Sequence, residues 1–307
     1  MPPAMKGTNM NITKAGIFSV VGRPNVGKST LVNALIGEKV AIVSNKPQTT
    51  RTRITGVLND GDCQLVFLDT PGLHKPRTRL GDYMVKVINA TVADVDTVVL
   101  LVEPVARIGI PEQMLIDKIR EFGVPAVLVI NKIDTVKREA LREVVARASA
   151  ACEFTAVVPV SARTGEGLDV LKKELRALCV PSPQLFPDDM YCDQPERQLV
   201  AELIREKALR NLDKEVPHGV AVEIERFSER EDGLTEIGAV LYCERMSHKG
   251  ILIGRGGSML KKIGAEARAD IEQLLDGKVF LELWVKVKED WRNNPNQIRN
   301  FGYEESR

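Results

Sequence analysis

The chain runs to 307 residues, 44% of them hydrophobic and 28% charged, with a formal net charge of +1. That balance excludes a disordered or collagen-like chain, leaves room for two domains of ordinary size, and by itself points to no polyanionic partner. Five scattered cysteines form no CxxC pair, no apolar run nears the roughly 18 residues of a membrane span, and the N-terminal stretch lacks a signal-peptide core; we expect a reduced, cytoplasmic protein.

Residues 1–14 read as a flexible tail, and residues 15–180 as a first domain in which short apolar runs alternate with amphipathic stretches. Strands are expected at 17–21, 40–44, 54–58, 64–69, 97–102, 126–131 and 156–161, several apolar throughout, as strands covered on both faces should be. Helices are expected at 28–36, 80–91, 111–122, 137–151 and 167–178. The alternation predicts an α/β fold with a doubly wound, mostly parallel sheet and ligands at the C-terminal strand ends. VPSPQLFPDD, with three prolines, reads as part of a linker over 181–194, since proline fixes φ and lacks a backbone donor. In the domain expected over 195–307 the order becomes α-β-β-α-α-β, with a glycine loop between the last two helices.

The first strand runs into Gly22-Arg23-Pro24-Asn25-Val26-Gly27-Lys28-Ser29, followed by Thr30. This matches GxxxxGK[ST], in which a glycine-rich turn points backbone N–H groups at phosphate oxygens and a helix adds its positive end. Lys28 should reach the β- and γ-phosphates, and Ser29 should ligate Mg²⁺. Asn131-Lys132-Ile133-Asp134 ends a later apolar strand; a carboxylate there accepts from both guanine donors and would be unpaired against adenine. Asp69-Thr70-Pro71-Gly72 ends the 64–69 strand, so Asp69 can serve the metal through water and the Gly72 N–H can sense a γ-phosphate. Ser161 and Ala162 close the last strand of this half, where their amides could face the base carbonyl. The polar stretch 45–53 supplies a second hydroxyl for Mg²⁺, with Thr50 preferred and Thr49 its rival. The catalytic duties fall to Lys28, Thr50 and Gly72.

In the second half charge is uneven. Residues 181–307 carry 19 Lys+Arg against 24 Asp+Glu, net −5, while residues 1–180 carry 24 against 18, net +6. Between residues 245 and 265, however, stand Arg245, Lys249, Arg255, Lys261 and Lys262 with no acid. They surround Gly254-Arg255-Gly256-Gly257, a GxxG loop where backbone free of side chains lets single-stranded sugar-phosphate approach helix termini. Ile251, Leu252, Ile253, Met259, Leu260 and Ile263 would line the groove for bases, and Trp284, on an alternating strand, is expected in the core.

The order of P-loop, threonine loop, DxxG, NKxD and SA, with the details QTTRTR, DTPGLH, the later GxxG loop and the ending WRNNPNQIRNFGY, resembles the Era family of bacterial ribosome-assembly GTPases, a TrmE-Era-EngA-like group. The resemblance covers residues 14 to 303. It implies a GTPase domain followed by a KH type II RNA-binding domain, binding of GTP and GDP, a monomer, and the 3′ end of small-subunit ribosomal RNA, within the small ribosomal subunit, as partner. It also implies peripheral association with the inner face of the cell membrane. Where Ras-like enzymes keep a water-orienting glutamine this chain has Leu73, which cannot align water. The resemblance supplies a substitute, a potassium ion held partly by the P-loop Asn25. His74, next door, is a weaker candidate base. The competing reading is a GTP-gated RNA-binding protein with negligible hydrolysis.

Overall fold

The computed structural model describes residues 11–73, 76–105, 109–151 and 153–303. Its contacts divide the chain into two units. The expected tail lies almost wholly outside the described residues, as does His74.

The first unit comprises Met1–Ala41, Thr50–His74 and Val85–Asp193. Strands β1 (Lys14–Gly22), β2 (Ile54–Asp60), β3 (Cys63–Asp69), β4 (Thr97–Val102), β5 (Ala126–Ile130) and β6 (Ala156–Pro159) lie in the order β2-β3-β1-β4-β5-β6, and β7 (Val180–Pro181) adds to β1. Pairings β3·β1, β1·β4, β4·β5 and β5·β6 are parallel, while β2·β3 and β1·β7 are antiparallel. Helices α1 (Lys28–Ile36) and α5 (Leu168–Ala177) cover one face through Leu31, Leu35, Leu171 and Leu175 on Phe18, Val20 and Phe67. The C-terminal part of α2 (Arg79–Ala93), α3 (Ile110–Phe122) and α4 (Arg138–Ala151) cover the other, where Ile88, Leu115, Ile116 and Val144 meet Val98, Leu100 and Leu128. The doubly wound, mostly parallel expectation is met.

Two readings change in this unit. No strand forms at 40–44. Asn33 of α1 takes that run's backbone instead: its Oδ1 accepts from the Val40 and Ala41 N–H groups at 3.1 and 2.9 Å, and its Nδ2 donates to the Ala41 carbonyl at 2.7 Å. The stretch expected as a linker over 181–194 packs on the first unit as far as Asp193. The fully buried Gln64 side chain accepts from the Leu185 and Phe186 N–H groups at 2.8 and 2.9 Å and donates to the Phe186 carbonyl at 2.9 Å. Prolines suit this segment because an ordered strap outside a ladder needs few donors of its own.

The second unit comprises Gln194–Arg307 with Ile42–Thr49 and Lys75–Met84. Helix α6 (Glu196–Asn211), strands β8 (Ala221–Glu229) and β9 (Thr235–Cys243), helices α7 (Met246–Ile253) and α8 (Ser258–Leu275) and strand β10 (Val279–Val287) reproduce the expected α-β-β-α-α-β order. The sheet runs β10-β9-β8, with β10 parallel and β8 antiparallel to β9. Ile237, Ala239, Leu241, Val279 and Val285 turn to Ile204, Leu252, Ile263 and Ala267 of the helices. Trp291 is fully buried, donates to the Gly219 carbonyl at 2.9 Å, and packs with Phe301 and Tyr303 beyond helix α9 (Pro295–Asn300). Trp284 is 44% exposed, contrary to expectation. It belongs to the alternate set of β10 residues, off the helix-covered face, lying over Gly238.

Candidate nucleotide and RNA sites

The P-loop joins β1 to α1 and is shaped by what crowds it. Gly27 has φ 99°, and an added Cβ would fall 2.3 Å from Asn131 Nδ2, so only glycine fits. Asn131 Nδ2 in turn donates to the Val26 carbonyl at 2.8 Å, binding the P-loop to the NKxD strand end. Lys132, at φ 65°, donates to the Asn25 carbonyl at 2.7 Å and pairs with Glu103. No side chain caps α1, leaving its first N–H groups for an anion.

Inside this loop the buried Lys28 Nζ donates to the Gly22 and Arg23 carbonyls at 3.3 and 3.0 Å. Ser29 Oγ donates to Asp69 Oδ2 at 2.7 Å and lies 2.9 Å from Thr50 Oγ1, which is 3.2 Å from the same carboxylate oxygen. Thr49 Oγ1 faces away, donating to the Lys46 carbonyl at 2.7 Å. The geometry therefore favours Thr50 of the two threonines. Asp69 Oδ1 is buried and has no hydrogen-bond partner.

Burial pushes the Lys28 ammonium down to about 8, only partly offset by the Asp69 carboxylate. Burial pushes Asp69 up, against the pull of Lys28, Ser29 and Thr50. An ammonium driven toward neutrality and a carboxylate driven toward protonation are both short of counter-charge. A phosphate beside Lys28 and a divalent cation on the oxygens of Ser29, Thr50 and Asp69 would restore both.

At the expected base pocket Asp134 accepts from Ser161 Oγ at 2.7 Å and pairs with Arg163. The Ser161 hydroxyl holds its carboxyl below the usual range, against a desolvation penalty and with help from Arg163. The Ser161 and Ala162 amides donate to the Glu166 carbonyl at 2.8 Å and to Asn131 Oδ1 at 3.0 Å, which ties this strand end to the Asn131–Asp134 turn. Three other candidates, Arg23, Thr70 and Leu73, bond to groups within the protein. Arg23 reaches Glu112 on α3 at 3.4 Å, and Thr70 Oγ1 donates to the Val20 carbonyl at 2.8 Å. Leu73 sits in the α2–α3 core while its N–H donates to the Gly22 carbonyl at 3.1 Å. Gly72 lies against Pro24, where a Cβ would meet backbone at 2.7 Å. Glu103, Glu112 and Arg163 were missed because acids and arginines on loops and helices carry no spacing signal.

The second unit presents a different loop. Helix α7 ends at Ile253, and Gly254, Gly256 and Gly257 all take positive φ before α8 begins at Ser258. Arg255, Lys261 and Lys262 are exposed and Lys249 half-buried. Of the expected groove residues, Leu252 and Ile263 are fully buried and belong to the core, whereas Ile251 is 49% exposed and Met259 and Leu260 are partly covered. Interior helix faces pack on the sheet, which leaves fewer apolar side chains for a ligand than a linear reading suggests.

Comparisons with known proteins agree with this layout. The family described as "50S ribosome-binding GTPase" matches residues 17–132 and the KH domain family matches residues 215–292. GTPase Era of Ruminiclostridium cellulolyticum is 50% identical over 290 residues, 94% of this chain and 97% of that protein. The Alkaliphilus metalliredigens GTPase Era is 50% identical over 95% of this chain and 99% of its own length. Among solved structures, Era in complex with MgGDPNP and nucleotides 1506–1542 of 16S ribosomal RNA matches with a TM-score of 0.92 at 37% identity, covering 95% of this chain and all of that one. An Aquifex aeolicus Era variant bound to GDP·AlF4⁻ matches with a TM-score of 0.91 over the same shares. With a nucleotide loop, a metal-type oxygen cluster and a GxxG loop each in its expected unit, and relatives of this identity along nearly the whole length, the chain belongs to the Era family of GTPases.

Proposed function

We propose that this protein is a Mg²⁺-dependent GTP-hydrolysing switch that binds single-stranded ribosomal RNA at the Gly254–Gly257 loop and assists assembly of the small ribosomal subunit. The gathering of Ser29, Thr50 and Asp69 beside Lys28, with a buried oxygen of Asp69 lacking a partner, carries the reading. These are all-oxygen donors, the set magnesium takes; an ion held by them would supply positive charge against the phosphates. Lys28 and the P-loop amides hold the phosphates, Gly72 senses the γ-phosphate, and Asp134, pre-aimed by Ser161, reads guanine. The RNA assignment is supported by the relative solved with nucleotides 1506–1542 of 16S RNA, and by Arg255, Lys249, Lys261 and Lys262 around a loop in which Gly256 and Gly257 are open.

Because Leu73 is buried in the core it aligns no water, and a potassium ion held partly by Asn25 would supply the transition-state charge. The same Leu73 favours the rival reading, RNA binding gated by GTP with negligible turnover. We extend the proposal to a cytoplasmic monomer that associates peripherally with the inner membrane face; among the described residues no helix is long and apolar enough to cross a membrane. Single-turnover phosphate release should be faster in potassium than in sodium, the difference vanishing in Asn25→Ala. No release in either salt, with RNA crosslinking retained, would leave the rival reading standing.

A further inference from the structure

Segment Ile42–Thr49 lies between α1 and β2 in sequence, yet side chains of α6 satisfy its backbone. The Val43 N–H donates to Glu206 Oε1 at 2.8 Å, and the Val43 carbonyl accepts from Arg210 Nε and Nη2 at 3.1 and 3.0 Å. Arg210 Nη2 also donates to Glu206 Oε1 at 3.0 Å. At the other end Arg205 Nη2 donates to the Thr49 carbonyl, with Glu202 accepting from Arg205 Nε at 2.8 Å. Between the two ends Lys46 pairs with Asp213 at 2.6 Å, and Ile42 enters the core of this unit. The helix is itself fixed to α8 through Lys207–Asp270 at 2.5 Å and Asn211–Glu266 at 2.7 Å.

Arg205 and Glu206 are 1% and 0% exposed. Buried ions are poor stabilisers, since an apolar face of similar volume packs as well or better. What they add is register: a fixed place for particular carbonyl and N–H groups. Register matters here because the residue after Thr49 is Thr50, whose hydroxyl stands against Ser29 and Asp69. We infer that Arg205, Glu206 and Arg210 are positioning residues of the nucleotide site, which fix the backbone from Val43 to Thr49, set the reach of Thr50, and so favour the triphosphate with its cation over the diphosphate. The inference rests on Thr50 being a ligand of that cation.

Arg210 is the variant to make, because its side chain is half-exposed and its loss leaves Glu206 paired with Lys207 and with the Val43 N–H. Arg210→Ala should lower affinity for a non-hydrolysable GTP analogue with magnesium about tenfold, within the usual range for coupled sites, and leave GDP affinity in place. Arg210→Lys, which can still donate to the Val43 carbonyl, should restore most of it. In a Thr50→Ala background Arg210→Ala should have no further effect, because the two act in series. Equal loss for both nucleotides, or losses that add across the double variant, would overturn the inference. Unchanged analogue affinity in Thr50→Ala alone would remove its premise, and the assignment of Thr50 with it.

Discussion

At Gly27 an added Cβ would stand 2.3 Å from Asn131 Nδ2, whereas at Gly256 and Gly257 it would meet nothing within 4 Å. Both loops precede a helix with no side-chain cap, and both take positive φ. The first is closed by its own protein: Asn131, Lys132 and Asp69 are bonded to it or to residues beside it before any phosphate arrives. The second is crowded only at Gly254, where a Cβ would meet Met259 at 2.8 Å, and is clear at Gly256 and Gly257. A preorganised site loses little entropy on binding but tolerates no added atom; an open loop tolerates atoms and depends on charge.

Reciprocal substitution tests the contrast most strongly. Gly27→Ala should weaken GTP binding about 1000-fold, combining a left-handed backbone with displacement of Asn131, and leave RNA binding intact. Arg255→Asp with Gly256→Asp should abolish RNA binding by like-charge repulsion and leave nucleotide affinity near wild type. Calorimetric titration with nucleotide and gel shift with RNA, at one salt concentration, read both arms. Loss of both functions in either variant would mean that the loops are not separate.

A smaller effect sharpens the nucleotide half. Asp134→Asn removes a carboxylate that accepts two guanine donors, each worth about 1.5–3 kcal/mol. GTP affinity should therefore fall roughly a hundredfold or more, while xanthosine triphosphate affinity rises because the amide can donate to the extra carbonyl. Parallel losses for both nucleotides would show that Arg163 and Ser161 hold Asp134 for structure alone.

The smallest effect concerns protons. Lys28 has its pKa lowered to about 8 in the unliganded protein, and a phosphate beside it must raise that value. Binding then takes up no proton below about pH 8 and up to one above it. Affinity should be flat below pH 8 and fall by about tenfold per unit above it, until the bound-state pKa is reached. Stability of the unliganded protein carries the opposite sign: the unfolded chain holds more protons between about 8 and 10.5, so this contribution rises with pH across that window. Nucleotide titrations from pH 7 to 9.5 check the first statement and urea melts over the same range the second.

Motif chemistry was legible because spacing and flanking elements repeat the demands of phosphate and base: the strand before Gly22, the helix from Lys28 and the strand before Asn131 all form as expected. Burial partners were not. The run at 40–44 is apolar and β-branched, which signals cover without saying by what; the Val40 and Ala41 backbone is taken by Asn33, and Ile42 belongs to the core of the second unit. Arg205, Glu206 and Lys207 carry no spacing signal in the sequence and are among the most buried charges described. Trp284 reads as core because strand alternation gives two faces without telling which one helices cover.

The strap from Val180 to Asp193 changes what counts as a portable piece of this protein. A cut after α5, where the repeating strand-helix pattern stops, would remove both donors to the buried Gln64 amide oxygen and one of its two acceptors, leaving only Asn59, and the Asp193 contacts with Thr55. Each such orphan costs about 1–3 kcal/mol, a large share of the 5–15 kcal/mol that holds an ordinary domain together. Recombination, in the laboratory or over generations, that exchanged the RNA-binding half at residue 180 would inherit a weakened GTPase. The viable seam lies past Asp193, and the proline-rich stretch travels with the half it follows.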